Sequence, residues 1–434
     1  MKRFLFAGIL TAFALVFAVL PVSAQNEISV YLDNEEIQFD VEPIIVNDRT
    51  MVPMRAIFEA LGAEVTWDES TKTAYTLKTD SIPMIGVAIT IDSPYMVNTM
   101  KNEALALDVP AMLYKDRTLV PLRAVSEAFE CEVLWDGATR TVNIHSKGFI
   151  DFSTETEQTT VYASTTDELL NSIGSNKRIV LTSDYYNLSH AGEINNPCVE
   201  RQINWDSSFL DGYIIKNVIN MTIEGNAEIA TDDIYADVLT FEKCGKITLD
   251  GITAGHTEYF EEYQCEGSVL DFSYCQQITM KNCNLYGSGA VGINTESTID
   301  LYVDKTNIYD CSLCAVNFFN SQSVTMNECN MYDSIYLDGV CRTMNSSVTF
   351  DKCIVRDNAT EDGFIVVMDD WRGLSESQIV WNNCKFEDNK FGRIVDTFLT
   401  KHVTFNNCEF VKNIGYMFIE DSATAYNDCT FKNQ

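Results

Sequence analysis

Apolar and polar residues alternate in a unit that recurs about every 24 residues through the second half of the chain. The stretch VTFNNCEFVKN begins at Val403, and related stretches upstream read ITMKNCNLYGS, VTMNECNMYDS, VTFDKCIVRDN and IVWNNCKFEDN. In each, two alternating apolar positions precede a polar pair, and the alternation resumes at the cysteine. Alternation with period two is typical of a strand that buries one face. Each unit therefore predicts a strand, a tight bend and a second strand, with the cysteine as the first inward residue after the bend.

The column of first inward residues contains Cys283, Thr306, Cys329, Cys353, Cys384, Cys408 and Cys429. Neighbouring strands lie about 4.8 Å apart, so stacked cysteines would hold their Cβ atoms beyond the usual separation for a disulfide. We therefore expect free thiols, because a small thiol suits the tight interior corner of a coil. Cys311 and Cys314 form a lone C-x-x-C, which is weak evidence for zinc. Strand alternation and position in the repeat explain these two cysteines more simply.

Two repeat folds fit this unit. The string I-x-M-x-x-C-x-L also matches the core of a leucine-rich repeat, which needs another apolar residue three positions before its first leucine. That place holds Thr298, Ser321, Asn345 and Thr400. The return segment instead carries a third apolar run, as in VLDFS from Val269 and FIVVM from Phe364. Three short strands per unit favour a right-handed parallel β-helix over residues 161–434, and the leucine-rich repeat is the alternative.

The first half contains a duplication with an offset of 68 residues. NDRTMVPMRAIFEALGAEVTWDESTKTAYT begins at Asn47, and KDRTLVPLRAVSEAFECEVLWDGATRTVNI begins at Lys115. In each copy a proline, Pro53 or Pro121, opens an apolar stripe with helical spacing, because proline suits the first turn of a helix. A tryptophan and an aspartate then enter a polar turn, which predicts a hairpin. Each copy is therefore a small α+β unit.

These two signatures resemble the copper amine oxidase N-terminal-like domain over residues 28–145, with repeats at about 28–77 and 87–145. The resemblance implies a stalk or attachment module of exported bacterial proteins and does not imply copper. Residues 161–434 resemble the pectate-lyase-like superfamily in repeat and architecture, without its catalytic motifs. The fold class expected is multidomain: a small α+β stalk-type module, a linker at 146–160, and an all-β right-handed parallel β-helix.

The ends and the charge of the chain bear on its location and partners. A basic start, an apolar run and a small-x-small site predict a signal peptide at residues 1–24 and no membrane span after its cleavage. We therefore expect a secreted or cell-envelope-associated protein. The formal net charge is −33, which disfavours nucleic acid and anionic membrane as partners. Cell-wall or extracellular polysaccharide, or a surface protein, remains as the expected partner.

Candidate chemistry lies on outward positions of the third strand and in one long loop. The outward column predicts ligand-binding side chains at Asp271, Asn294, Asn317 and Asp396, and the loop after Asp250 adds Glu258. The catalytic candidates are His256, Asp271, Asp369 and Asp370. Paired carboxylates can perform acid–base chemistry or hold calcium, whereas a solvated acidic face is the plainer explanation in so acidic a chain. The scattered histidines predict no local metal motif and no cofactor.

Two functions therefore stay open. The attachment module and the missing catalytic motif favour a β-helix that binds polysaccharide or a surface partner without catalysis. The alternative is a polysaccharide lyase or glycoside hydrolase that acts on the β-helix face, which rests on fold analogy.

Overall fold

The structure of the protein is a computed structural model. It describes residues 27–78, 84–203, 208–257, 267–287, 290–336, 339–360, 363–368, 377–397, 402–416 and 424–433. Two compact units divide the chain, one ending at His145 and the other beginning at Ser146. The expected signal peptide lies outside the described residues. No described helix has both the length and the apolar character needed to cross a bilayer.

The first unit has two short helices, Met54–Ala60 and Leu122–Ala128, each preceded by its proline as the sequence predicts. Each proline-led helix follows a strand of five residues and precedes a hairpin, which confirms the duplicated α+β plan. The strands are Ser29–Leu32, Glu35–Glu36, Ile44–Val46, Arg49–Pro53, Glu64–Asp68, Thr73–Lys78, Ile85–Thr90, Tyr95–Asn98, Glu103–Ala106, Met112–Tyr114, Arg117–Pro121, Glu132–Asp136 and Thr141–His145. Ile57 and Val125 lie at the centre of one shared core and are fully buried.

The second unit winds through three sheets within its described residues, and their strands are parallel except that Val199–Ile203 pairs antiparallel with Phe209–Lys216. The first sheet contains Thr159–Ala163, Lys177–Leu181, Ile219–Glu224, Gly245–Asp250, Gln276–Lys281, Ile299–Asp304, Val324–Asn327, Ser347–Asp351, Gln378–Asn382, His402–Asn406 and Thr424–Asn427. The second contains Tyr185–Asn187, Glu228–Thr231, Thr253–His256, Asn284–Tyr286, Asn307–Tyr309, Asn330–Tyr332, Ile354–Arg356, Lys385–Glu387, Glu409–Val411 and Thr430–Lys432. The third contains Val199–Ile203, Phe209–Lys216, Leu239–Glu242, Leu270–Ser273, Val291–Glu296, Cys314–Phe319, Ile335–Tyr336, Cys341–Met344, Ala359–Thr360, Gly363–Met368, Lys390–Thr397 and Ile414–Tyr416.

Successive coils visit these sheets in the same order, so the three-strand prediction is confirmed and the leucine-rich repeat alternative is wrong. The return segment that a leucine-rich repeat would use is the third sheet itself. The predicted bend also forms, because the residue before the cysteine column adopts a left-handed backbone with φ near 50°. Asn, Asp, Lys and Glu occupy that position, and asparagine and aspartate tolerate it best. The affected residues are Asn282, Lys305, Glu328, Lys352, Asn383, Asn407 and Asp428.

Apolar columns fill the interior of the β-helix in the predicted register. Leu285, Ile308, Met331, Val355, Phe386, Phe410 and Phe431 pair one after another along the second sheet. Aromatic rings stack in the later coils, with ring centroids 3.7 Å apart for Phe350 and Trp381 and 4.7 Å for Phe386 and Phe410. A continuous core therefore runs through the coils.

The cysteine column lies at the interior corner between the first and second sheets, and the described cysteines are free thiols. Their sulfur atoms lie close to backbone carbonyl oxygens of the bend, for example 3.2 Å from Cys384 Sγ to Asn382 O. The hydroxyl of Thr306, in the same column, donates to Asp304 O over the same distance. Burial raises the pKa of Cys283 to about 11, which keeps the thiol protonated and poorly reactive. The column thus supplies a small donor at each corner.

The N-terminal end of the β-helix carries one further helix, Thr166–Ser172, and the 3₁₀ helices Phe152–Thr154 and Leu188–His190. Leu169 and Leu170 cover the open end of the core, as expected for a cap. Residues 146–160, expected as a linker, belong to the compact unit of the β-helix. Gln276 donates a hydrogen bond to Gly148 O at 3.3 Å, which ties this segment to the third complete coil.

Candidate functional site

A column of residues in register, most of them polar, runs along the third sheet. Its members in register are Thr240, Asp271, Asn294, Asn317, Arg342, Val366 and Asp396. The predicted ligand-binding residues of this strand therefore share one column, because strand alternation directs their neighbours, such as Leu270 and Phe272, into the core. Asp271 is nevertheless only 9% exposed.

Hydrogen bonds join three of these side chains into a ladder. The amide nitrogen of Asn317 donates to Asn294 Oδ1 at 2.7 Å, and the amide nitrogen of Asn294 donates to the Asp271 carboxyl group. Ser273 Oγ donates to the other oxygen of Asp271 at 2.8 Å. Both asparagine amides are thereby held in one orientation. Each keeps one N–H and at least one oxygen lone pair free of the ladder.

A second carboxylate, Asp237, lies beside the end of the ladder and was missed in the sequence. Its oxygens accept hydrogen bonds from the backbone N–H of Ser268 at 2.7 Å and from Thr240 Oγ1 at 3.0 Å. Thr240 is the register partner of Asp271. Asp237 was overlooked because its coil lacks the column cysteine and was therefore left out of the repeat alignment. Aligning VLTF with VLDF would have placed it.

Burial perturbs the pKa of both carboxyl groups. Burial is the main reason that the pKa of Asp271 rises to about 7, and the negative charge of Asp237 adds to it, while the bonds from Asn294 and Ser273 act against it. The pKa of Asp237 is also raised by burial, against the bonds from Ser268 and Thr240. Near neutral pH part of the Asp271 population is thus protonated and can donate a proton.

His256 ends a strand of the second sheet and is buried at 2% exposure. Its Nε2 lies 2.8 Å from the carbonyl oxygen of Ala236; because a carbonyl only accepts, Nε2 carries the hydrogen. The other ring nitrogen, Nδ1, is buried without a hydrogen-bond partner among the described residues. Burial lowers the pKa of His256 despite the nearby charges of Asp237 and Asp233, so the ring is neutral. Nδ1 is therefore a buried acceptor on a ring that interacts electrostatically with Asp237.

The structure thus groups some predicted residues and leaves others outside its description. Asp271, Asn294 and Asn317 form one ladder, and His256 interacts electrostatically with Asp237. Asp396 shares the column, but Arg342 and Val366 separate it from Asn317 and its side chain is not described. Glu258, Asp369 and Asp370 lie outside the described residues. Arg342 was missed because its strand, Cys341–Met344, was not identified among the third apolar runs.

The described part of the chain contains no cluster of three or more histidine, cysteine, aspartate or glutamate side chains arranged to hold a metal ion. Calcium prefers carboxylate oxygens as ligands, and in this part of the third sheet Asp237 and Asp271 would have to supply them. Hydrogen bonds from protein donors already engage oxygens of both.

Comparison with known proteins identifies both parts of the chain. Residues 31–144 match the family described as copper amine oxidase N-terminal domain. Residues 216–368 and 268–434, which together span about half of the chain, match the right handed beta helix region. No curated protein matches the sequence significantly.

Solved structures with a similar path are distant. An alginate lyase from Paenibacillus sp. str. FPU-7 is 11% identical, with 63% of this chain and 95% of that one covered and a TM-score of 0.36. A polygalacturonase from Erwinia carotovora ssp. carotovora is 11% identical, with 65% and 99% covered and a TM-score of 0.34. The surface adhesin PfbA of Streptococcus pneumoniae is 9% identical, with 64% and 75% covered and a TM-score of 0.35. Enzymes and an adhesin thus share the fold, and these likenesses decide nothing about activity.

Proposed function

We propose, from the premise that this chain belongs to the right-handed β-helix family, that its third sheet binds a polysaccharide along the column Asp271, Asn294, Asn317 and Arg342. The observation that carries this proposal is the hydrogen-bonded ladder, which presents oriented polar groups at intervals of about 4.8 Å. The protein is exported and envelope-associated, on the strength of residues 1–24, and the N-terminal module positions the β-helix there.

The ladder suits a ligand rich in hydroxyl groups. Each asparagine amide retains a donor and an acceptor, and a hydroxyl group can satisfy both. Asp271 is partly protonated near neutral pH, and Arg342 adds one positive charge, so the column itself carries little net charge. The whole chain carries −33, which repels a polyanion at a distance. A neutral polysaccharide is therefore the favoured ligand.

A pair of matched double variants tests the binding face. Asn294→Ala with Asn317→Ala removes the ladder of the third sheet. Asn307→Ala with Asn330→Ala removes a similar amide ladder of the second sheet, whose two bonds are each 2.8 Å. We expect the first pair to weaken binding to a neutral polysaccharide at least about tenfold, or about 1.4 kcal/mol, and the second to leave it unchanged.

Affinity electrophoresis of the secreted chain in gels that contain xylan, mannan or polygalacturonate would supply the measurement. Equal loss of retardation in both double variants would contradict the assignment to the third sheet. Tighter binding to polygalacturonate than to xylan and mannan would contradict the assignment of a neutral ligand.

A second candidate function is glycoside hydrolysis at Asp237 and Asp271, which the raised pKa of Asp271 favours. Asp271 would give its proton to the glycosidic oxygen as the bond to the anomeric carbon breaks. Asp237 would take a proton from the water that attacks that carbon, so one water is consumed per bond. The rate would fall as the pH rises through about 7, because the acid form of Asp271 is lost.

Asp271→Asn separates the two functions. The amide has nearly the shape of the protonated carboxyl group: its oxygen can accept the bond from Asn294, and its nitrogen can donate to the hydroxyl oxygen of Ser273. If the protein cleaves its ligand, release of reducing ends should stop while retardation in the gel persists. If wild type releases no reducing ends from any polysaccharide it binds, with or without added calcium, binding alone is the function.

A further inference from the structure

The N-terminal module has an internal two-fold relation between its copies. Val52 pairs with Val120 across the antiparallel strands Arg49–Pro53 and Arg117–Pro121, and these two valines are equivalent in the 68-residue duplication. Strands that pair about equivalent residues place a two-fold axis between them. The ion pairs obey the same relation, because they are exchanged between the copies.

The exchange is reciprocal. Arg49 Nε lies 2.6 Å from Asp108 Oδ2, and Arg117 Nε lies 2.5 Å from Asp40 Oδ2. Arg117 lies 68 positions after Arg49, and Asp108 lies 68 positions after Asp40, so each arginine binds the aspartate of the other copy. The module therefore offers an internal standard: a feature present on one side of the axis can be compared with the equivalent position on the other.

A cleft of about 660 Å³ opens on one side of this axis, within the size range of small-molecule sites. The buried side chains of Leu122, Val133 and Val142 contribute its apolar lining. The polar lining comes from Asp48, Arg49, Asp108, Arg123, Glu127 and Trp135. Trp135 is 43% exposed, so part of a large aromatic surface lies open beside these charged groups.

The indole group of Trp135 differs from its counterpart in one respect. In the first copy, Trp67 Nε1 donates to Glu69 Oε2 at 2.8 Å, so a carboxylate occupies the indole N–H. The equivalent of Glu69 in the second copy is Gly137, which supplies no such acceptor. A Cβ built on Gly137 would lie 3.4 Å from Nε1 of Trp135, so a side chain at this position would reach the indole.

The charges in the cleft define the class of ligand. Arg49 and Arg123 supply two positive charges, and Asp48, Asp108 and Glu127 supply three negative charges, which leaves a formal net charge of −1. Positive and negative side chains lie side by side, as for Arg49 and Asp108, so their charges already compensate each other. A neutral molecule can therefore hydrogen-bond to both without carrying a charge of its own. An exposed indole adds an apolar surface with a polar N–H at its edge. A neutral saccharide offers the matching combination of hydroxyl groups and apolar C–H faces.

We propose that this cleft of the N-terminal module binds a neutral saccharide through Trp135 and the flanking Arg–carboxylate pairs. The proposal deepens the attachment role assigned above, on which it rests, because a saccharide of the envelope held in this cleft would anchor the module. The β-helix and the module would then bind glycans independently.

Titration of the secreted chain with cellotetraose, chitotetraose, mannotetraose and tetragalacturonic acid tests it, with tryptophan fluorescence and calorimetry as readouts. At least one of the neutral tetrasaccharides should bind, and tetragalacturonic acid should bind at least tenfold more weakly. Trp135→Ala should reduce the affinity at least tenfold, whereas the matched control Trp67→Ala should change it less than twofold. Gly137→Glu should also weaken binding at least fivefold, because it restores the acceptor that engages the indole in the first copy.

The outcomes separate this proposal from the function proposed for the β-helix. The titrations of Trp135→Ala, Trp67→Ala and Gly137→Glu are therefore made in the Asn294→Ala with Asn317→Ala background, where the ladder no longer binds and tetrasaccharide binding reports on the module. In turn, the ladder variants are compared in gels in the Trp135→Ala background, which should leave retardation through the ladder intact. Gly137→Glu also guards against misfolding, because Trp135 is kept and the site of substitution is exposed. No binding of any neutral tetrasaccharide, or binding that survives both Trp135→Ala and Gly137→Glu, would overturn the proposal.

Discussion

Asp271→Asn should stabilise the protein, and the gain should grow with pH. The carboxyl group has a pKa of about 7 in the folded chain, against an ordinary value of 3.8 that applies when the chain unfolds. A raised pKa means that the folded protein binds the proton more tightly than the unfolded chain does. Below pH 3.8 both states are protonated and nothing is lost. Above pH 7 both are ionised, and the folded state bears the full cost of a buried charge.

The size of the effect follows from the shift. A difference of about 3 pKa units corresponds to about 4 kcal/mol at full ionisation. The asparagine variant cannot ionise. Its free energy of unfolding should therefore exceed that of wild type by about 2 kcal/mol at pH 5 and by about 4 kcal/mol at pH 8. Most of the increase lies between pH 4 and 7, where the folded state alone retains the proton.

Urea unfolding of wild type and variant at pH 5, 6, 7 and 8 would measure this difference, because the other titrating groups cancel in the comparison. Asp232→Asn is the control of opposite sign. A hydrogen bond from Thr257 lowers the pKa of Asp232, so its carboxylate favours the folded state above the ordinary pKa. That variant should therefore be less stable than wild type by an amount that stays constant from pH 5 to 8, because wild-type Asp232 is ionised in both states over this range. A difference for Asp271→Asn that stays constant from pH 5 to 8 would refute the reasoning.

Two further variants test how the coils are held together. Cys329→Thr should change the free energy of unfolding by less than about 1 kcal/mol, because the hydroxyl of Thr306 already donates to a bend carbonyl from the same column. Chemical denaturation would measure this change, and a loss above about 3 kcal/mol would contradict the prediction. Asn389→Ala should cost about 2–4 kcal/mol, since its buried amide nitrogen donates to Val355 O at 2.8 Å and its oxygen accepts from the backbone N–H of Asn358 at 3.1 Å. An unchanged denaturation midpoint would contradict this.

The repeat was predictable because its signal is repeated in every coil. Strand alternation at Val403 and Phe405 recurs upstream with the same period, so errors at one coil are corrected by the others. The duplicated module was predictable for the same reason, since Pro53 and Pro121 open helices at equivalent places. Residues 146–160 carried no periodic signal. Their polar composition resembles a linker, whereas their contacts with the β-helix depend on the tertiary structure.

The candidate site was only partly predictable, because a site depends on particular side chains and not on a period. Asp271, Asn294 and Asn317 follow from strand alternation once the register is known. Asp237 lies outside a strand, and only the packing of its loop against Ser268 and Thr240 brings its charge close to Asp271. Aligning VLTF with VLDF gives the place of Asp237 in its coil, but only the tertiary structure gives that proximity.

The energetics of Asp271 connect the two proposed functions of the β-helix. A carboxyl group with a raised pKa weakens the folded state at neutral pH, and asparagine at the same place would complete an uncharged amide ladder with Asn294 and Asn317. If binding alone were the role of this face, the amide would serve it equally well and stabilise the fold. A carboxyl group is required only where a proton is given or taken. If Asp271→Asn binds the polysaccharide as well as wild type does, binding does not need the carboxyl group, and that result favours a catalytic role for Asp271.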